Sequence, residues 1–353
     1  MADKINIKYL SKDELAAFIG AKELPRYRAE QLFHWIYKKD VSSIDEITEF
    51  SRELRNTLKE VAFISNLALV KRLTSQDRTE KFLFTLEDGN AVESVLIPDE
   101  PRLTLCISSQ VGCAMGCRFC LTGKQGFIRN LKAYEIVDQI TAVNRLIGPE
   151  RISNIVLMGM GEPLANFDEV VEALWRIVDF IGISRRRITL STAGIVPKLR
   201  LLAEKAPEVN LAISLNATTD EERSELMPVN KMHPIASLIA ACRKYPLQPA
   251  RKITFEYVLI DRKNDSVDDA LRLVHLLKGI RCKVNLIPLN IHPESNLKRS
   301  SDKKILAFQN ILLKNRIRAF IRGSKGQDIL AACGQLRAGH AGKASQGEKA
   351  RQP

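Results

Sequence analysis

Residues 103–120 decide the fold and read Leu103-Thr-Leu-Cys-Ile-Ser-Ser-Gln-Val-Gly-Cys113-Ala-Met-Gly-Cys117-Arg-Phe-Cys120. The stretch Leu103–Ser108 has the pattern of a β-strand. Three cysteines follow it on one short stretch with C-x3-C-x2-C spacing, where Gly112 and Gly116 indicate a loop. Three thiolates on one loop can hold three irons of a cubane and leave the fourth iron open. The stretch therefore predicts an iron–sulfur cluster at the end of a strand.

Zinc is the competing interpretation of the same cysteines. Structural zinc prefers four ligands, commonly as two close pairs. No fourth Cys or His lies near this loop in the sequence, and the five histidines are scattered. The donor set therefore favours an iron–sulfur cluster bound by Cys113, Cys117 and Cys120.

From residue 103 onward, strand-like and helix-like stretches alternate. The candidate strands are Leu103–Ser108, Ile152–Met158, Arg187–Ser191, Val209–Ser214, Lys252–Leu259 and Lys283–Ile287. The helical stretches between and after them include Tyr134–Leu146, Phe167–Phe180, Ser266–Leu277 and Ser301–Lys314. This alternation is typical of parallel βα units. Six units predict an α/β fold built as a partial (βα)6 barrel.

Other patterns precede and follow the predicted barrel. Residues 10–62 have apolar residues at near-helical spacing, with Ser11 as a helix N-cap. Residues 81–97 read strand–turn–strand around Asp88-Gly89. We therefore expect a helical accessory domain over residues 1–62, a β-hairpin extension over 63–100, the barrel over 101–337 and a disordered tail over 338–353.

Reactive groups in βα barrels lie at the C-terminal ends of the strands. Polar or reactive residues follow the candidate strands of this chain in the expected places. They are Cys106 and the cysteine loop, Gly161 and Glu162, Ser191, Ser214 with Leu215 and Asn216, and Asn290. The sequence therefore predicts one site at that end of the barrel.

The net charge of the chain is +13. Residues 1–62 contain 11 basic and 11 acidic side chains, so the whole surplus lies beyond them. Between Leu297 and Gly326 there are nine Lys or Arg residues, among them Lys298, Lys303 and Lys304, and one Asp. A basic surface is typical of proteins that bind RNA or DNA. A solvated helix face is the alternative interpretation.

Apolar runs and targeting signals in the sequence indicate the cell compartment. No run of 18 apolar residues and no secretory signal is visible, so we expect no membrane span and a cytoplasmic protein. In that reducing compartment, seven cysteines are not expected to form a structural disulfide set.

Motifs near both ends of the barrel resemble one known family. Ala331-Ala332-Cys333-Gly334-Gln335-Leu336 resembles the "ACGQL" motif of the RlmN/Cfr family of radical S-adenosylmethionine (SAM) RNA methyltransferases. The cysteine loop resembles the signature of the wider radical SAM superfamily, and Gly159-Met160-Gly161-Glu162-Pro163 its "GGE"-type motif. Val92-Glu93-Ser94-Val95 and Asn285-Leu286-Ile287-Pro288 also fit, and the resemblance runs from about residue 10 to 337.

The resemblance implies a cofactor site. Cys113, Cys117 and Cys120 bind a [4Fe–4S] cluster, whose open iron chelates SAM. The residues implied at the SAM site are Gly161, Glu162, Ser191, Ser214, Leu215, Asn216 and Asn290. Other members often have His at the position of Asn216, and we expect Leu215 and Asn216 to contribute mainly through their backbone.

The resemblance also implies a covalent route that uses two SAM molecules per turnover. Cys333 takes a methyl group from one SAM. After hydrogen abstraction by the radical from the second SAM, the methylene carbon adds to an adenine ring and leaves a protein–RNA thioether. Glu93 accepts the ring proton, and Cys106 forms a disulfide with Cys333 to release the methylated RNA.

Two adenine positions and several partners stay open at this point. Pro163 and the run Trp35-Ile36-Tyr37 favour RlmN-like members, which methylate carbon C2, over Cfr-like members, which methylate C8. The resemblance implies 23S ribosomal RNA as substrate, transfer RNA as a second one, a flavodoxin as electron donor, an RNA-binding role for residues 1–62, and a monomer. A non-catalytic RNA-binding protein with a zinc knuckle is the rival from another class.

Overall fold

The structure is a computed structural model that describes residues 4–292 and 294–337. Its strands are β1 (Ile5–Asn6), β2 (Ala62–Phe63), β3 (Ala68–Thr74), β4 (Glu80–Thr85), β5 (Ala91–Asp99), β6 (Arg102–Cys106), β7 (Gln110–Gly112), β8 (Phe127–Asn130), β9 (Asn154–Leu157), β10 (Ile188–Thr192), β11 (Asn210–Ser214), β12 (Ile253–Leu259), β13 (Cys282–Pro288) and β14 (Ala319–Ile321). Its α-helices are α1 (Lys12–Gly20), α2 (Tyr27–Phe33), α3 (Arg52–Val61), α4 (Leu121–Gln125), α5 (Ala133–Ile147), α6 (Phe167–Arg176), α7 (Val196–Lys205), α8 (Asp220–Leu226), α9 (Ile235–Lys244), α10 (Val267–Leu277) and α11 (Asp302–Lys314). The tail predicted for residues 338–353 lies outside the described residues.

A ten-stranded sheet organises the chain, in the order β14-β13-β12-β11-β10-β9-β6-β5-β4-β3. The six predicted barrel strands correspond to β6, β9, β10, β11, β12 and β13, and each pairs in parallel with its neighbour. The α/β fold and the partial barrel are therefore confirmed. The two ends of this sheet, β3 and β14, do not pair with each other in the described residues, so the sheet stays open.

Two strands of this sheet were not predicted from the sequence. β14 adds a seventh parallel strand, but it is only three residues long and is flanked by Arg318 and Arg322. β3 makes the predicted hairpin a three-stranded antiparallel unit, and its residues are almost all exposed. An exposed edge strand lacks the alternation of buried and exposed residues by which strands are recognised.

The antiparallel unit is part of the barrel sheet, because β5 pairs with β6 and places Val95 opposite Cys106. Side chains alternate along a strand, so Val95 and Glu93 share the face that carries Cys106. This pairing brings a residue of the predicted extension to the end of the first barrel strand.

The helices begin and pack as their sequences indicate. Ser11 caps α1 in a capping box with Glu14, and Ser266 caps α10 in the same way with Asp269. Helices α2 and α6 each continue into a π-helical segment, His34–Lys38 and Ile177–Ile181 respectively.

None of the helices described for residues 4–292 and 294–337 is long and apolar enough to cross a membrane.

Buried polar contacts join the N-terminal helices to the barrel. Lys8 is fully buried and donates to the carboxylate of Asp138 on α5 at 2.8 Å and to the carbonyl of Ser65 at 2.7 Å. Arg176 on α6 donates to the carbonyl of Lys8 at 2.6 Å. Because these groups are desolvated, removing one partner would leave a buried charge uncompensated. The contacts therefore fix the orientation of the N-terminal helices on α5 and α6.

Candidate functional site

The cysteine loop begins where β7 ends and is shaped by two glycines. At Gly112 a Cβ would lie 1.9 Å from the carbonyl oxygen of Gly126, and the backbone there has φ +74°. Only glycine fits this close approach of the two strands of the small β7–β8 sheet. The backbone N–H of Cys113 donates to the same Gly126 carbonyl at 2.9 Å, and that of Cys120 to the Cys117 carbonyl at 3.1 Å. The three cysteines therefore lie on a loop with defined backbone contacts.

The three thiols lie close enough to influence one another. Burial raises the pKa of Cys113 to about 12, and the neighbouring Cys120 thiol contributes to the rise. Burial raises the pKa of Cys117 well above its usual value, and Cys120 and Cys113 again add to it. Thiols that disfavour each other's ionisation need a cationic group among them before all three can be thiolates. The loop therefore fits a group that brings positive charge to three sulfurs.

A single metal ion is a poorer match for this loop. In residues 4–292 and 294–337, no three His, Cys, Asp or Glu side chains are grouped so as to hold one ion. A cubane differs, because each cysteine binds a different iron of the cluster. Three cysteines without a grouped fourth ligand therefore fit a cubane better than a single zinc ion in these residues.

The segment after β9 carries Glu162, which is buried. Its carboxylate accepts hydrogen bonds from the Thr192 hydroxyl at 2.6 Å and from the Ala193 backbone N–H at 2.7 Å. Burial raises the pKa of Glu162, and these hydrogen bonds oppose the rise. At Gly161, with φ +103°, a Cβ would lie 2.6 Å from the side chain of Gln110. The Glu162 N–H also donates to the Gln110 side-chain oxygen at 2.9 Å, so this segment joins the end of β9 to the start of β7 and the end of β10.

The predicted residues of β10 and β11 lie side by side at the same end of the sheet. Ser191 and Ser214 are half-buried near the ends of their strands, and Leu215 is buried. Asn216 has φ +58°, and its side-chain oxygen accepts from the Val258 N–H at 2.8 Å. The Asn216 backbone carbonyl also accepts from the Asn264 side chain at 2.7 Å, so both the side chain and this carbonyl bind protein groups. A backbone contact between Asn216 and SAM stays a prediction.

Arg223 braces these strand ends and was not singled out from the sequence. Its guanidinium is fully buried and donates to the carbonyls of Ala193 at 2.7 Å, Leu215 at 3.0 Å and Ser214 at 3.2 Å. Burial lowers the pKa of Arg223 to about 10, whereas the nearby Cys117 raises it. Its position in the acidic helix α8 resembles that of an ordinary surface arginine, so the sequence gives no signal.

The segment 326–337 lies across this end of the barrel and is joined to the cysteine loop. The Leu121 N–H donates to the Gly334 carbonyl at 2.7 Å, and the Thr122 hydroxyl to the Leu336 carbonyl at 2.6 Å. Asn290, after β13, donates to the Cys333 carbonyl at 3.1 Å. Its side-chain oxygen accepts from Gln327 and Ser324. Asn290 therefore positions the segment that carries Cys333.

Cys106 and Cys333 are both free thiols in this site. Cys106 is buried at the end of β6, and its pKa is raised by burial and then by the Cys333 thiol. Cys333 is exposed as a residue, but desolvation of its sulfur by the surrounding segments and the Glu256 carboxylate raise its pKa to about 11. The two cysteines, 227 positions apart in sequence, are thus neighbours in space.

Glu93 lies on β5 beside the same segment and is buried, so it is not a solvent-facing strand residue. Its carboxylate forms an ion pair with Lys81 at 3.0 Å and accepts the Arg337 backbone N–H at 2.8 Å. Burial raises the pKa of Glu93, and Lys81 opposes the rise. The arrangement brings a buried carboxylate, two thiols and the cysteine loop to one end of the sheet.

Comparison with known proteins covers almost the whole chain. A family model described as the ribosomal RNA large subunit methyltransferase N-terminal domain matches residues 5–64, and that of the radical SAM superfamily matches residues 107–274. A dual-specificity RNA methyltransferase RlmN from Syntrophobacter fumaroxidans is 50% identical over 95% of this chain and 98% of its own. The chain belongs to the RlmN family of RNA methyltransferases. The RlmN relative from Geobacter sulfurreducens is 51% identical, over 96% of this chain and 93% of its own.

The fold comparison agrees with this RlmN membership. The crystal structure of a radical SAM methyltransferase from Sphaerobacter thermophilus has a TM-score of 0.89 and 43% identity, and the match covers 94% of this chain and 99% of that one. As a member of the RlmN family, the chain is a SAM-dependent RNA methyltransferase. Radical SAM membership implies a [4Fe–4S] cluster and SAM as its cofactors.

Proposed function

We propose that this chain methylates carbon C2 of an adenosine in 23S ribosomal RNA and of an adenosine in transfer RNA. The methyl group travels through Cys333 and a protein–RNA thioether. Relatives of this chain are named dual-specificity RNA methyltransferases, which supports two RNA substrates. The Trp35-Ile36-Tyr37 run and Pro163 support C2 as the position.

One observation carries the proposal: the segment with Cys333 is bonded to the cysteine loop while Cys106 and Glu93 flank it. The Leu121–Gly334 hydrogen bond joins the two segments, and the Arg337 N–H binds Glu93. An ordinary SAM methyltransferase needs no thiol beside its cofactor. A thiol that carries the methyl group does need a second thiol and a base nearby, and the positions of Cys106 and Glu93 support these roles.

In this proposal the site residues divide cofactor binding, methyl transfer and release among them, and Asn290 both positions the Cys333 segment and lies at the SAM site. Cys113, Cys117 and Cys120 bind the cluster, and Gly161, Glu162, Ser191, Ser214, Leu215, Asn216 and Asn290 surround SAM. Bound together, cluster and SAM supply a methyl group and a carbon radical. Cys333 carries the methyl carbon to the ring. Glu93 takes the ring proton, and Cys106 attacks the Cys333 sulfur to form a disulfide and break its bond to the RNA.

We also propose the SAM stoichiometry, the cell compartment, the electron donor and the RNA-binding domain of the enzyme. Two SAM molecules are used per turnover, one for the methyl group and one for the radical. We place the enzyme in the cytoplasm as a monomer that takes electrons from a donor such as flavodoxin. Residues 1–62 would bind RNA as an accessory domain, which is supported by the match of residues 5–64 to the family's N-terminal domain.

The test is mass spectrometry of nucleosides from unmodified ribosomal and transfer RNA after anaerobic incubation with protein, SAM and reductant. We expect C2-methyladenosine from both RNA classes. C8-methyladenosine would assign the chain to the Cfr-like reaction. A colourless protein with no methylated product would favour the zinc-knuckle interpretation.

RNA binding should depend on salt through the basic residues beyond position 62. Lys298 and Lys303 are exposed, whereas Lys304 is paired with Asp261 at 2.9 Å and with Asp265 at 3.0 Å. Of these three lysines, Lys298 and Lys303 are therefore the ones that we propose to contact RNA phosphates. Each phosphate contact contributes roughly 0.7 to 0.9 to the slope of log affinity against log salt.

We expect Lys298→Gln and Lys303→Gln to weaken binding and reduce that slope, measured by fluorescence anisotropy with a labelled RNA. Lys304→Gln is the matched control, because its charge is already compensated, and its slope should change less. Equal slopes for all variants and the unaltered protein would move the RNA surface elsewhere, for example to Arg185, Arg186 and Arg187.

A further inference from the structure

Lys81 is a nearly buried lysine to which neither the family motifs nor the reaction described above assigns a task. Its side chain is 11% exposed and that of its partner Glu93 is 6% exposed. The two residues are diagonal neighbours on one face of the sheet, because Leu83 lies opposite Glu93 in the β4–β5 register. A lysine at such a position is desolvated, so its ammonium charge is stable there only beside a specific partner.

Lys81 and Glu93 together bind the backbone on both sides of Cys333. The Lys81 ammonium donates to the carbonyl of Leu330 at 3.2 Å, three residues before Cys333. The Glu93 carboxylate accepts from the backbone N–H of Arg337 at 2.8 Å, four residues after it. The ion pair between Lys81 and Glu93, at 3.0 Å, links these two backbone contacts to each other.

We propose that Lys81 is a positioning residue of the methyl transfer, which holds Glu93 as a carboxylate and, with it, clamps the segment that carries Cys333. The proposal rests on the function proposed above, in which Glu93 accepts the ring proton. Lys81 itself touches neither SAM nor the RNA base in this role. It acts through Glu93 and through the Leu330 carbonyl.

Lys81 is needed because an ionised Glu93 carboxylate, buried without a cation beside it, would be destabilised by desolvation. Burial raises the pKa of Glu93, and the Lys81 charge is the largest influence that lowers it. The groups that act on or share this face are Lys81 from β4, the Arg337 N–H from the segment and the Cys106 thiol from β6. Of these, Lys81 alone brings a positive charge to Glu93, because the Arg337 guanidinium contacts Glu294 and only the Arg337 backbone contacts Glu93.

The proton balance of the step is simple. The ring C–H bond breaks, one of its electrons pairs with the unpaired electron that methylene addition leaves on the ring, and the proton moves to a Glu93 oxygen. The surplus electron would go to the cluster held by the three cysteines, which supplies one electron to SAM when the radical is made. The carboxylate becomes a neutral acid, so its attraction to Lys81 weakens. The clamp is therefore strongest before the proton is transferred and weaker afterwards, when Cys106 has to reach the Cys333 sulfur.

The test compares Lys81→Gln, Lys81→Arg and the matched variant Asp328→Asn in the full-length holoprotein. Asp328 anchors the same segment through the Ser75 hydroxyl at 2.5 Å and the Gln76 N–H at 3.2 Å, without contacting Glu93. Methylation of Cys333 in each purified protein is measured first, because that half-reaction does not use Glu93. Release of methylated RNA per methylated Cys333 is then followed against pH.

We expect Lys81→Gln to move the acidic limb of the release profile to higher pH by about one to three units, as when a carboxylate loses a nearby cation. Below that limb, it should accumulate protein–RNA adduct, as Glu93→Gln does at all pH values. Lys81→Arg should restore the profile, and Asp328→Asn should leave the limb in place. A wild-type limb in Lys81→Gln, or no rescue by arginine, would overturn the proposal.

The unaltered protein separates this outcome from failure of the proposed function. If it forms no adduct and no C2-methyladenosine, the covalent route itself is wrong. If it forms both and Glu93→Gln traps the adduct while Lys81→Gln does not, only the role of Lys81 is wrong.

Discussion

Cys333→Ala and Cys106→Ala should both stop RNA methylation, but at different steps. Cys333→Ala has no sulfur to carry the methyl group, so neither product nor covalent complex should form. Cys106→Ala keeps Cys333 and should still form the thioether, but it has no thiol to displace the RNA. Product formation should fall by on the order of 10³-fold or more in each case, as for loss of a covalent nucleophile.

Denaturing gels of each variant with labelled RNA measure the difference. Cys106→Ala should show a protein–RNA species that nuclease treatment shortens, and Cys333→Ala should show none. The double variant Cys106→Ala with Cys333→Ala should also show none, which controls for crosslinks at other residues. Normal turnover by Cys106→Ala would mean that no second thiol is needed.

Cys117→Ala should lose the cluster and, with it, both half-reactions. Removing one of three protein ligands from a cubane leaves an iron without its thiolate. We expect iron and sulfide content and visible absorbance to fall steeply, with Cys333 unmethylated and RNA methylation at background.

Cys282→Ala is the matched control for this variant, since Cys282 is a half-buried cysteine at the start of β13, away from the cysteine loop. It should keep its iron, its absorbance and its methylated Cys333. Full iron content in Cys117→Ala would show that the ligands are misassigned.

The parallel part of the fold was predictable because its strands are buried and some of its helices, such as α10 and α11, begin after a capping serine. The predicted strand Lys252–Leu259 corresponds to Ile253–Leu259, and the helix Ser301–Lys314 to Asp302–Lys314 with Ser301 as its cap. β3 and β14 were not predicted because an exposed or very short strand is held by its neighbours and not by its own pattern.

The site was predictable where chemistry leaves a mark in the sequence. Cysteine spacing indicates the cluster loop, and the segment around Cys333 is a recognisable motif. Lys81 and Arg223 leave no such mark, because each looks like a surface cation until the fold buries it beside its partners. Their tasks depend on contacts between distant segments, and a single sequence does not contain those distances.

The most direct measurement of the central claim uses SAM with a fully deuterated methyl group and many turnovers. If the methyl carbon travels through Cys333, it loses one deuterium as the thioether forms and gains one proton on release. We therefore predict methyladenosine with two deuterium atoms in its methyl group. A methyl group that keeps all three deuterium atoms would mean direct transfer from SAM to the base, and would contradict the role of Cys333.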